Sequence, residues 1–283
     1  MNLEFRQLDR HQFETLVDWA REEGWDPGIH DAEIFFDAFP DGFYGFFRDD
    51  ELIGGGSLVS YNDQFGFMGF FIVKPDYRSN GIGRALWIKR RDTLLNRLQA
   101  GAAIGMDGVV AMQPFYQQGG FTIAYRDERR VRIGVKFPTC KAISTVTPAD
   151  LTAILAYDHE CFGFDRLKFL NRWLYDSEAR SFVHREQNGI AGYTVLRRTG
   201  NGYKIGPLFA DTPAIARELY RACLSAVPGK KVFLDIPMKN SDAVALAEEF
   251  GAEYVFECAR MYYGPEPVHR LDKVFGITTF ELG

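Results

Sequence analysis

The chain has 283 residues, enough for one large domain or two ordinary ones, and its 46% hydrophobic and 25% charged residues suit a globular protein with a sizeable core. A formal net charge of -5 argues against a surface built to wrap nucleic acid. The opening "MNLEFRQLDRHQF" holds no apolar signal segment, and no apolar run approaches the ~20 residues of a membrane span, so a cytoplasmic protein is expected.

Asn2 to Leu8 alternates like a strand, and His11 to Glu23 sets Phe13, Leu16, Val17 and Ala20 at helical spacing. "GWDPGIHDAEIFFDAF" reads as a turn and a short helix. "GFYGFFRDDELIGGGSLVSY" reads as a hairpin about Arg48–Glu51. Gln64 to Val73 is the next strand, Gly81 to Leu98 an amphipathic helix, and Gly108 to Met112 a short buried strand. Phe115 to Gly120 is a helical turn, and Phe121 to Phe137 reads as two strands. After Pro138 a second series begins. Thr147 and Pro148 open a helix. "SFVHREQNGIAGYTVLRR" is a hairpin that can be laid on the first, Phe46 over Phe182, Ile53 over Ile190, Gly55 over Gly192 and Ser57 over Thr194. Strand, helix, strand, helix and strand follow. The repeated order predicts a duplicated α+β domain, a three-layer mixed sheet in each half, with units 1–137 and 138–283.

The stretch "VKPDYRSNGIGRALW", Val73 to Trp87, joins a strand to a helix. Such a junction exposes helix N–H groups without partners and lets an anion, usually phosphate, approach. It is not a Walker loop, since Arg84 and Ala85 follow Gly83, and it is not a dinucleotide loop, since Leu86 stands where the third glycine is needed. Two glycines alone would serve equally well in a tight turn. Lys74, Arg84, Lys89, Arg90 and Arg91 surround the loop, as phosphate partners or as a solvated face.

Val73, Pro75, Tyr77, Arg78, Gly81, Ile82, Gly83 and Ala85–Leu86 together resemble the central motif of the GCN5-related N-acetyltransferases (GNAT), V-x-P-x-[YF]-[RQ]-x-x-G-[IV]-G-x-[AG]-L, and meet it at each position. The resemblance implies acetyl-CoA as co-substrate and no metal. Loop residues Arg78, Ser79, Asn80, Gly81, Ile82, Gly83, Arg84 and Ala85 would cradle its pyrophosphate. The backbone of Phe71, Ile72 and Val73 would pair with its pantetheine arm as an added strand. Further on, "QPFYQQGGF" resembles the family's F-Y-x-x-x-G-F and implies Tyr116 as the acid that protonates the departing thiolate; packing alone is the other reading of that tyrosine. "GWDPGIHD", "IGPLFAD" and "ARMYYG…TTFELG" extend the resemblance over nearly the whole chain, to a tandem bacterial branch. Trp25, Asp26 and Asp31 lie in the segment that in this fold commonly borders the acceptor; a buried structural tryptophan and a helix-capping aspartate are the other reading.

The general base stays open. The strand "FGFMGFFIV", where many members carry a glutamate, holds no acid, which leaves Asp31, Glu33, Asp63, Asp165 and Asp235 as candidates. In the second half, Asp211 and Pro213 replace the glycines and arginine, so that loop is expected not to bind CoA. The four cysteines, Cys140, Cys161, Cys223 and Cys258, match no zinc spacing and are expected reduced. None lies in the first half, from which direct attack by the acceptor is expected. The expectation is an acetyl-CoA-dependent N-acetyltransferase acting on a small-molecule or peptide amine, as monomer or homodimer, without nucleic acid or membrane. The alternatives are a non-catalytic acyl-CoA sensor and an acyltransferase using a longer acyl or an aminoacyl donor.

Overall fold

In the computed structural model, which describes residues 3–78, 80–187 and 189–283, helix ends follow local chemistry. Strand β1 (Glu4–Gln7) leads into α1 (Arg10–Glu22), whose N-cap Asp9 accepts from the Gln12 N–H while the Gln12 side chain accepts from the Asp9 N–H. Phe13, Leu16, Val17 and Ala20 form its buried stripe. Helix α2 (Asp31–Ala38) is followed by β2 (Phe43–Arg48), β3 (Glu51–Ser57), β4 (Val59–Tyr61), β5 (Phe65–Phe67) and β6 (Ile72–Val73). Then come α3 (Ile82–Leu95), β7 (Ala103–Val109), α4 (Gln113–Gln118) and β8 (Thr122–Ile133).

The second half runs β9 (Ile143–Thr145), α5 (Leu151–Phe162), α6 (Leu167–Leu174), β10 (Ala179–Glu186), β11 (Gly189–Arg198) and β12 (Tyr203–Ala210). It continues with α7 (Pro213–Ala226), β13 (Lys231–Pro237), α8 (Ser241–Glu249), β14 (Glu253–Tyr263) and β15 (Val274–Gly276). Thr147 shares a capping box with Asp150 at the turn that opens α5.

The strands form two sheets. The smaller has the order β1-β2-β3-β6, and the larger β4-β5-β7-β14-β8-β13-β12-β11-β10-β9, with β15 beside β12. The two halves are therefore interleaved. β14 lies between β7 and β8, pairing Cys258 with Val109 on one side and with Asp127 on the other. β8 in turn pairs with β13, Asp127 opposite Pro237. Helix α6 adds a second seam, with Trp173 stacked on Phe35 of α2 at 5.8 Å and its Nε1 donating to the Gly206 carbonyl at 2.8 Å.

Four sequence expectations change. In place of two strands over Phe121–Phe137 there is one long strand, Thr122–Ile133, because it has partner strands from the second half on both sides and no turn interrupts it. The strand expected at 108–112 begins at Ala103 and ends in a 3-10 turn, Val110–Met112. The strand expected over 64–73 is broken at 68–71. The hairpins correspond, but with a slip on the first strand: Phe43, not Phe46, faces Ser57, as Phe182 faces Thr194.

Candidate active site

The break at 68–71 makes the site. β5 runs parallel to β7 as far as the pair Phe67–Gly105, whereas β6 turns away and pairs with β3 through Val73–Gly54 and Ile72–Gly55. Between them Phe70 takes a left-handed φ of 49°. Arg90 holds the turn from beneath, donating to the carbonyls of Ser57 and Gly69, the latter at 2.6 Å. The Arg90 guanidinium is fully buried with Nε and Nη1 unpartnered, and desolvation lowers its pKa. Gly69 allows the segment ending in Glu281 to lie against it, since a Cβ there would sit 2.2 Å from the Glu281 carbonyl oxygen. Where the strands diverge, a cleft of 510 Å³ opens.

At the mouth of the cleft, Gly81 caps α3 with a φ of 76° and no side-chain hydrogen bond. The Ala85 N–H is bonded to the Gly81 carbonyl, so the amides of Ile82, Gly83 and Arg84 have no helical partner. Gly83, Arg84 and Arg78 line the cleft. Arg78 donates from Nε to the Val73 carbonyl at 2.8 Å and pairs with Glu23. Phe71, Ile72 and Val73 line one wall, and the second edge of β6 has no strand partner among the described residues. Asn80, Gly81, Ile82 and Ala85 belong to the loop without lining the cleft, and Ser79 lies outside the described residues. Of the other basic residues, Lys74 pairs with Glu51, Arg91 with Asp92, and Lys89 is exposed.

Deeper in, Tyr116 on α4 is packed against Trp87, and burial pushes its phenol pKa well up, so it stays protonated. The far end comes from both halves: Trp25, Phe70, Asp107 and Arg129 meet Phe256, Cys258, Phe280 and Glu281. Asp107 is clamped by Arg260 at 2.7 and 3.0 Å, and Arg129 by Asp235 at 2.6 and 2.7 Å. The Arg129 guanidinium also lies over the rings of Phe256 and Phe280.

Trp25 lines the cleft, whereas Asp26 and Asp31 do not. Asp26 accepts from Thr199 and Asn201, and Asp31 pairs with Arg197, so both dock the loop on the second half. None of the acids considered for the base lines the cleft either. Asp31 and Asp235 are held by Arg197 and Arg129, Glu33 by Arg172, Asp63 by Gln99 and Asp165 by His159. The acidic residues that do line it are Glu23, Asp107 and Glu281. The premise that no cysteine reaches the site fails as well, because β14 carries Cys258 into it. That thiol is nonetheless held neutral, since burial first and then Asp107 and Asp127 push its pKa up.

Residues 4–121 match the acetyltransferase (GNAT) family model, and residues 154–276 match a second acetyltransferase (GNAT) domain model. The chain belongs to the GNAT family, in tandem form. A holothin acyltransferase of Pseudoalteromonas sp. (strain SANK 73390) is 29% identical over 274 residues, covering 96% of this chain and 92% of that one. A putative acetyltransferase from Pyrococcus horikoshii shares the fold with a TM-score of 0.85 at 23% identity, over 99% of this chain and 96% of that chain. A tandem GNAT protein from the clavulanic acid biosynthesis pathway superposes with a TM-score of 0.63 at 16% identity, over 94% of this chain and 100% of that chain. This GNAT protein is thus of an acyltransferase family. At the corresponding junction of the second unit, Thr212 caps α7, and Asp211 is held by Tyr157 and by Lys273, both at 2.9 Å. Among the described residues no cluster of metal ligands occurs, and no helix is long and apolar enough to cross a membrane.

Proposed function

We propose that the protein is an N-acyltransferase that takes acetyl-CoA as donor and a primary amine as acceptor, with direct attack of the amine on the thioester. The observation that carries this reading is the continuity of one cleft from the bare N-terminus of α3, along the unpaired edge of β6, to the buried phenol of Tyr116. Three free amides and the positive end of the helix dipole suit a pyrophosphate, and an open strand edge suits an amide-bearing arm. Bound there, acyl-CoA would supply the acyl group as a thioester. Tyr116, kept protonated by burial, donates its proton where a thiolate leaves. The neutral Cys258 thiol is a poor nucleophile, which favours direct transfer over an acyl-enzyme.

In this reading residues 1–137 form the donor unit, and residues 138–283 a degenerate unit that closes the acceptor end. A relative whose name gives holothin as what is acylated supports acyl transfer and makes holothin the first acceptor to try. The aromatic far end of the cleft also has room for a longer acyl chain, so acetyl, butyryl and octanoyl donors belong in the same assay. Thiol release with acetyl-CoA and a panel of amines tests the proposal. Tyr116→Phe is expected to lower kcat by about 10²-fold while the acetyl-CoA dissociation constant is kept. Unchanged turnover would remove the acid role, and binding without any turnover would make the protein a sensor.

A further inference from the structure

We infer that the Glu281 carboxylate, delivered by the segment after β15, takes the proton from the acceptor amine. This rests on the acyltransferase reading above. Of the carboxylates that line the cleft, Glu23 is paired with Arg78 at the mouth and Asp107 is clamped by Arg260 at two points. Glu281 alone of the three is paired with no cation among the described residues, although its residue is only 6% exposed.

The backbone around Glu281 is fixed on both sides of the divergence. The Ser57 hydroxyl donates to the Glu281 carbonyl at 3.3 Å and accepts from the Gly69 N–H at 2.7 Å. The Thr279 hydroxyl accepts from the N–H groups of Glu281 and Leu282, and the Tyr61 hydroxyl donates to the Leu282 carbonyl at 2.7 Å. The tie to Gly69 sets Glu281 two residues before the β6 wall of the cleft, on the strand segment whose lack of an acid left the base unassigned.

The charged groups around Glu281 come from three elements. They are Arg129 on β8, Lys204 on β12 and Asp107 on β7. Arg129 is already committed to Asp235 at two points, and Lys204 donates to the Asp26 carbonyl at 2.9 Å, so neither pairs with Glu281. A carboxylate on the cleft lining with no cation partner among the described residues is placed to accept a proton.

The step balances as follows. The acceptor ammonium gives one proton to Glu281, and the neutral nitrogen forms a C–N bond to the acyl carbon as the C–S bond breaks. Tyr116 protonates the departing sulfur. The nitrogen's second proton restores the phenol, and Glu281 later releases its own to solvent.

The test compares wild type with Glu281→Gln and Glu281→Ala. Four alkyl amines are used (phenethylamine, tyramine, tryptamine and lysine methyl ester), and beside them hydroxylamine, a nucleophile already neutral at pH 7. With the amine that wild type uses fastest, Glu281→Gln should lose about 10²-fold in kcat/KM near neutrality and recover as pH rises and more free amine is present. Its rate with hydroxylamine and its acetyl-CoA dissociation constant by calorimetry should stay within a few-fold, and added formate should restore part of the Glu281→Ala rate. Equal losses with alkyl amine and hydroxylamine, or no loss at neutral pH, would overturn the assignment alone. Wild type that binds acetyl-CoA yet acylates neither class would overturn the acyltransferase reading, and this assignment with it.

Discussion

Asp127 is a residue whose cost can be read from its surroundings. It sits on β8 with both carboxyl oxygens buried and unpartnered. Burial first, then Asp107 and Asp235, raise its pKa well above the ordinary carboxylate value. In the unfolded chain it ionises near pH ~4, before it does so in the fold, so its contribution to stability falls as pH rises from there to its folded pKa. Asn does not titrate. Asp127→Asn should therefore gain stability on wild type as pH rises above the ordinary carboxylate range, measured as the difference between their denaturant melts. A pH-independent difference would contradict the account. The sequence could not reveal this residue, nor Cys258, Arg129 or Glu281. The last three reach the site through pairing or docking across the whole chain, and nothing local to "FECAR" or "TTFELG" places them there.

At the scale of elements, what was legible followed local chemistry. Helix α1 was readable from its apolar stripe, and the junction before α3 from glycines whose purpose is positional: among the described loop residues Gly81 alone takes a positive φ. The unbroken β8 was not legible, since its partners lie beyond residue 230, nor was the kink at 68–71, where "FGFMGFFIV" reads as one strand. That kink is imposed by Arg90 beneath and by Glu281 against Gly69. It follows that Gly69→Ala must push the Glu281 segment away. A loss of about 1–3 kcal/mol in stability is expected for such overpacking, with a lower kcat. Wild-type stability and rate in that variant would mean the segment is free to shift and is not a fixed wall of the cleft.

For the whole molecule, the interleaving of β14 between β7 and β8 joins strands of both halves in the larger sheet, so a single cooperative transition is expected instead of two. The cleft draws on that arrangement, with its donor wall from the first half and Phe256, Cys258, Phe280 and Glu281 from the second. The most direct test of acyl-CoA recognition at the head of α3 is thermal unfolding with and without acetyl-CoA, in wild type and in Gly83→Asp. A Cβ at Gly83 meets only ordinary contacts, 3.6 Å from Phe71 and 3.8 Å from Val73, so the variant should fold. Acetyl-CoA at about 100 times its dissociation constant should stabilise wild type by about 2.7 kcal/mol, and the carboxylate at the helix N-terminus should abolish the shift. A wild type that melts unchanged by acetyl-CoA, or a variant stabilised as much as wild type, would contradict the account.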